Sequence, residues 1–191
     1  MALSLRLRTS TAALHEKLDK LVMSEKPFEN RENYGRFVIA QYLFQRDIES
    51  LYDEPRLLTM IPDLPSRPRL AAAAADLQDL GITIPEEAGA PAADTLGLGA
   101  GLGWLYVSEG SKLGAAFLFK EAGQKLGLSE TLGARNLAAP EGGRGAAWKR
   151  FVHVLDNNTL TDDEKEHVVD GARDAFERFA QLLALSYGRN G

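Results

Sequence analysis

Apolar side chains recur at intervals of three and four along nearly the whole chain, and no run alternates with the period of two that a half-buried strand needs. The pattern predicts an all-α protein. Leu7, Leu14, Leu18, Leu21 and Val22 mark one face of a first helix over residues 4–23, and Pro27 blocks its continuation. Tyr34, Phe37, Val38, Gln41, Phe44, Ile48, Leu51 and Tyr52 mark a second helix, N-capped by Asn30 and running to about residue 53. A helical turn over 55–60 and a proline-punctuated loop lead to an alanine-rich helix over 69–80, closed by Gly81. Residues 82–94, with Pro85, Gly89 and Pro91, read as loop.

The second half of the chain predicts three more helices. A glycine-rich one covers about 94–126, with bends expected at its glycines. The turn PEGGRG at 140–145 separates it from a helix over 146–157 that should bury Trp148, Phe151, Val152 and Leu155. The last helix opens with the capping box Thr161-Asp162-Asp163-Glu164 and runs to about 187, with Gly188 as its stop. No internal repeat interrupts this organisation, which reads as one domain over residues 1–191.

Within the glycine-rich helix, the segment GWLYVSEGSKLGAAFLFK at 103–120 sets a problem. Gly110 and Gly114 lie one turn apart, and each costs about 0.8–1 kcal/mol relative to alanine inside a helix. Two accounts are open: close helix packing through small residues, or a flat ligand lying on bare backbone. A phosphate loop is not one of them, because neither its motif nor its strand–turn–helix context is present. Tyr106 one turn earlier, adjacent Ser111 and downstream Lys120 would suit a large planar anion, although Lys120 needs a kink or its long stem to reach the same face.

Composition narrows the chemistry. The chain of 191 residues has 45% apolar side chains and no cysteine, so it can bury a core without disulfides, and thiolate haem ligation, cysteine zinc sites and iron–sulfur clusters are excluded. The net charge of -5 gives no support for nucleic-acid binding. The N-terminus lacks the apolar core of a secretory signal, and the longest weakly charged stretch is broken by Glu109, Lys112 and glycines, so a cytoplasmic protein with no membrane span is expected.

Helical phase separates the three histidines. His153 lies about 150° and His167 about 120° from the centre of its helix's apolar face, which places both in solvent. His15 lies about 75° from the centre of its face, at the rim between core and surface. Thr11 and Arg8 continue the same row, with Arg8 about 10 Å from His15 along the axis. From this helix alone, His15 is either a boundary histidine beside a surface arginine or an iron ligand whose porphyrin sends a propionate toward Arg8.

TxxxH at 11–15, LVMSEKPF at 21–28, QYLFQRDIESLY at 41–52, the glycine segment and GARNLAAPEGGRG at 133–145 together closely resemble bacterial haem oxygenases across almost the whole chain. The resemblance implies an all-helical fold with haem sandwiched between a proximal and a distal helix. It implies His15 as proximal iron ligand, and Gly110 and Gly114 as distal glycines whose backbone approaches the haem, with Ser111 beside them. Lys120 matches a propionate-binding lysine, Thr11 lies in the haem-binding row, and Phe176 matches a haem-contacting aromatic of the last helix. Gln45 stands where some members place a histidine in the distal water network; it can hydrogen-bond but cannot carry a proton charge. Arg69 keeps the matching arginine. Arg8 and Tyr106 match the members that open haem at the α-meso carbon, whereas a subgroup with other regiochemistry has asparagine and phenylalanine there.

The activity implied is O2- and reductant-dependent opening of haem to biliverdin, in the IXα form, with release of ferrous iron and CO. A distal histidine with a charged partner would instead promote peroxidase-type O–O cleavage. Segment 103–120 has no histidine or arginine to do so, and glycine backbone with ordered water gives gentler hydrogen bonds. Haem is thus expected as both substrate and cofactor, with O2, an external electron donor of ferredoxin or flavin-reductase type, and a monomeric enzyme. Iron acquisition and supply of biliverdin to a phytochrome are both compatible roles. A haem sensor or carrier with the same fold is the alternative; a helical hydrolase lacks a nucleophile–base pair.

Overall fold

The computed structural model describes residues 1–86 and 90–189, so Gly89 of the expected loop lies outside the described residues. Among those described there are seven α-helices: α1 (Leu3–Ser24), α2 (Arg31–Ile48), α3 (Pro55–Met60), α4 (Leu70–Asp79), α5 (Leu98–Leu126), α6 (Arg144–Asp156) and α7 (Asp162–Ser186). Among the described residues β-pairing is limited to isolated bridges from Ser129 to Leu132 and Gly133. The Asn30 side chain caps α2 by accepting from Asn33 N, and the predicted end of that helix, Glu49–Asp53, tightens into a 3-10 turn. The capping box of α7 is complete: Thr161 Oγ1 accepts from Glu164 N at 3.1 Å, and Glu164 Oε2 accepts from Thr161 N at 2.9 Å. Gly81, Gly127 and Gly188 end their helices with φ near +70°.

Helices α5 and α7 share the most extensive packing in the molecule, and glycine makes it possible. A Cβ on Gly103 would collide with the Val168 carbonyl, one on Gly171 with the Ala100 carbonyl, and one on Gly99 would lie 2.6 Å from the Glu164 carbonyl oxygen. Close helix packing is therefore real in this chain, but it uses the first turns of α5 rather than Gly110 and Gly114. The helix starts at Leu98, later than predicted, because Ala92–Thr95 forms a separate 3-10 turn followed by extended backbone at Leu96 and Gly97. It then continues to Leu126 as one uninterrupted α-helix.

Two expectations about burial are corrected. Leu7 and Val22 of α1 are buried, but Leu14 and Leu18 are only half-buried and Leu21 is exposed. In α6, Phe151 and Leu155 are buried while Trp148 and Val152 are half-buried. Leu18, Val22 and Trp148 line a cavity between the helices, so part of each apolar face meets open space instead of a neighbouring helix.

Candidate active site

The cavity has a volume of about 720 Å³, within the roughly 300–1,000 Å³ of small-molecule and cofactor sites. One wall is α1, whose Arg8, Thr11 and His15 recur every three or four residues and all line the space. Thr11 is buried there because its hydroxyl donates to Leu7 O at 2.8 Å, so its polar atom is satisfied within the helix. The His15 side chain is 65% exposed, and Nε2 lies 3.4 Å from Asp19 Oδ2 one turn on. Its ring is braced from α7 by Phe176, with ring centroids 5.9 Å apart. His153 and His167 are exposed and line no part of the cavity, in agreement with their helical phase.

The facing wall is α5, which brings Tyr106, Gly110, Ser111 and Gly114 to the same cavity. A Cβ on Gly110 would rest at an ordinary 3.8 Å from the Trp148 ring, and one on Gly114 would meet nothing within 4 Å. No protein neighbour requires either glycine. The packing account of these two residues fails, and what remains is a wall kept bare toward the cavity. Ser111 Oγ donates to Ser108 O at 2.6 Å, which uses its proton and leaves its lone pairs as acceptors. Burial pushes the Tyr106 hydroxyl above its ordinary pKa, against the opposing effects of a hydrogen bond with Thr11 and the Arg8 charge, so it is held as a neutral donor.

The inner end of the cavity is polar. Gln45 Nε2 donates to Ser108 Oγ at 3.1 Å, while Oε1 has no hydrogen-bond partner among the described residues. Arg69 donates to Ala138 O at 2.9 Å and Arg135 O at 3.5 Å and makes no ion pair among the described residues. Burial lowers its pKa, offset in part by Glu109, Tyr52 and Asp76. Thus ten of the eleven sequence-predicted site residues meet around one space: Arg8, Thr11, His15, Gln45, Arg69, Tyr106, Gly110, Ser111, Gly114 and Phe176. Lys120 does not; it is exposed on α5 beyond the wall.

Sequence reasoning missed Trp148, Asn136 and Lys112, which also line the cavity. Trp148 is assigned to the core by periodicity alone, and Asn136 sits in a loop with no motif of its own. Lys112 has a local signal, a glutamate three residues earlier on the same helix. Among the described residues no group of three or more His, Cys, Asp or Glu side chains is placed to hold a metal ion. An iron at His15 must therefore bring its other ligands with it, as a porphyrin does, and the bare wall, the single histidine and the cations fit a flat dianion.

A family model described as heme oxygenase matches residues 1–184. The chain is 50% identical over 184 residues to heme oxygenase PigA of Pseudomonas aeruginosa, covering 96% of this chain and 92% of that protein. The structure of the NO- and CO-bound heme oxygenase from Neisseria meningitidis superimposes with a TM-score of 0.94 at 37% identity, covering 100% of this chain and 94% of that one. A heme oxygenase from Leptospira interrogans shares the fold at 19% identity, with a TM-score of 0.76 over 97% of this chain and 100% of that one. No described helix is long and apolar enough to cross a membrane. With its all-helical fold, its one cavity-lining histidine and its bare α5 wall, the chain belongs to the haem oxygenase family, enzymes that bind haem as substrate and cofactor and degrade it to biliverdin.

Proposed function

We propose that the single domain of residues 1–191 seats haem with His15 on the iron and Gly110 and Gly114 over the opposite face, and opens the ring at the α-meso carbon to give biliverdin IXα. The observation that carries this reading is Gly114, where a Cβ would meet nothing within 4 Å although the glycine costs helix stability. Bound haem supplies the iron that activates O2 and the carbon that is oxidised. The chain supplies position and proton control. His15 offers an imidazole, a globin-like donor, placed between Asp19 and Phe176. Arg8 and the neutral Tyr106 hydroxyl hold one propionate, and Lys120 reaches the other from outside the wall through its flexible stem.

On the distal side, Gln45 presents a carbonyl acceptor and Arg69 a guanidinium donor, which together order water without placing an acid against the reaction face. Gly110 and Gly114 admit the ring and crowd what binds between ring and helix. O2 and electrons from a ferredoxin or flavin-reductase type donor complete the reaction, carried out by a monomer in the cytoplasm, and the product is suited to a phytochrome chromophore. Hemin titration tests the seating. His15→Ala should lose the native ferric spectrum, and Gly114→Phe should exclude hemin from the face; an unchanged spectrum in the first or retained turnover in the second contradicts the assignment.

A further inference from the structure

A chain of alternating charge, starting at exposed Arg150 and buried at Arg67 and Glu109, runs behind the distal wall. Arg150 Nε donates to Asp63 at 3.1 Å, Arg67 donates to Asp63 through Nε and Nη2 at 2.9 Å each, Arg67 Nη1 donates to Glu109 at 3.2 Å, and Lys112 Nζ donates to Glu109 at 2.9 Å and to the Arg67 carbonyl. The Arg67 and Glu109 side chains are only 5% and 3% exposed. Lys112 is the terminal member, and it alone of the five lines the haem cavity, midway between Gly110 and Gly114 in sequence. The distal segment thus carries a cation after all, with its charge turned into the wall.

The two cations on Glu109 are not equally dependent on it. Without the Glu109 charge, Arg67 keeps both bonds to Asp63, whereas Lys112 keeps a single backbone carbonyl and borders open space. Burial, with the nearby Arg69 and Arg67 charges, disfavours the Lys112 ammonium and the Glu109 carboxylate opposes them, so that charge in the wall leans on Glu109.

We propose that Glu109 is a positioning residue that locks the Lys112 ammonium away from the reaction face, and so keeps a proton donor and a positive charge from promoting O–O cleavage there. The inference rests on haem occupying this cavity. A mobile ammonium at that face would act as the distal acid of a peroxidase does, and oxidation of the ring's own carbon would lose to it.

Two measurements separate the lock from haem seating. In the haem-free protein, amine acetylation followed by peptide mass spectrometry should find Lys112 protected relative to Lys120. Glu109→Gln should raise Lys112 labelling by about tenfold or more, the effect of losing a charge-assisted hydrogen bond on an open population. In the hemin complex supplied with hydrogen peroxide, Glu109→Gln should lower biliverdin yield and raise guaiacol oxidation. In that side reaction the O–O bond breaks and two guaiacol molecules give one electron and one proton each, forming two waters. The double variant Glu109→Gln/Lys112→Met should restore the biliverdin-to-guaiacol ratio, which a merely structural role for Glu109 would not do. Unchanged labelling in Glu109→Gln, or a double variant no better than the single one, overturns the lock. Should Glu109→Gln fail to fold, labelling of the parent protein decides: Lys112 protected relative to Lys120 supports the lock, and equal labelling of the two overturns it.

Discussion

Gln45 and Ser108 join α2 to the buried side of α5 through a single 3.1 Å hydrogen bond, and that bond sets which end of the glutamine amide is committed to the wall. Ser108 is fully buried in the helix interior. Ser108→Ala should leave a buried amide N–H without its partner and destabilise the haem-free protein by about 1–3 kcal/mol. Thermal unfolding should register this as a drop of about 2–4 °C for each kcal/mol. It should also slow biliverdin formation, because the released side chain no longer holds its carbonyl toward distal water.

Glycines on one helix should respond with opposite sign. Gly103→Ala must force backbone apart where α5 crosses α7, and should cost about 1–3 kcal/mol or more in a denaturation experiment. Gly114→Ala meets open space and should stabilise the haem-free protein by about 0.8–1 kcal/mol through helix propensity. The same change should weaken hemin binding. Destabilisation of both variants would return Gly114 to a packing role.

Propionate anchoring is tested by product chemistry. Replacing Arg8 with Asn and Tyr106 with Phe removes a charge and a hydroxyl from neighbouring walls while leaving His15 untouched. The ring should then rotate in its seat, and chromatography should show biliverdin isomers other than IXα. An unchanged isomer ratio would mean that regiochemistry is set elsewhere, for example by the crowding glycines.

Acid sensitivity should trace to Asp63. Burial raises its carboxyl pKa, but hydrogen bonds from Arg67 and Arg150 outweigh that, and the net position lies below the ordinary value. A depressed folded pKa contributes stability that is full above the unfolded value of about 3.9 and is lost as pH falls through the folded pKa. Asp63→Asn should therefore flatten the acid limb of the stability curve below about pH 4, measured by urea unfolding at a series of pH values. A limb as steep as that of the parent protein would assign the acid sensitivity to other carboxylates.

Helical periodicity and caps made most of the fold legible, because period 3.6, Asn30, Thr161 and the glycines after α4 and α7 are local signals. Phase alone also placed His15 at a rim and His153 and His167 in solvent. It could not place Leu18 or Trp148, since an apolar position predicts burial whether its neighbour is another helix or an internal cavity. Nor could it distinguish glycines that let two backbones meet, Gly99 and Gly103, from glycines that face open space, Gly110 and Gly114; that difference lies wholly in what stands across from each. Glu109, three residues before Lys112, was a local signal, but Arg67, the second cation on that carboxylate, is brought to it only by tertiary packing.

The most direct measurement of the central claim is a turnover of the purified hemin complex with O2 and a reductant, followed by chromatography of the bilin. A chain that holds haem between His15 and the bare wall of Gly110 and Gly114, with its propionate on Arg8 and Tyr106, should lose its Soret band and yield biliverdin IXα as the main product. A persistent Soret band with no bilin, or a main product other than the IXα isomer, would contradict it.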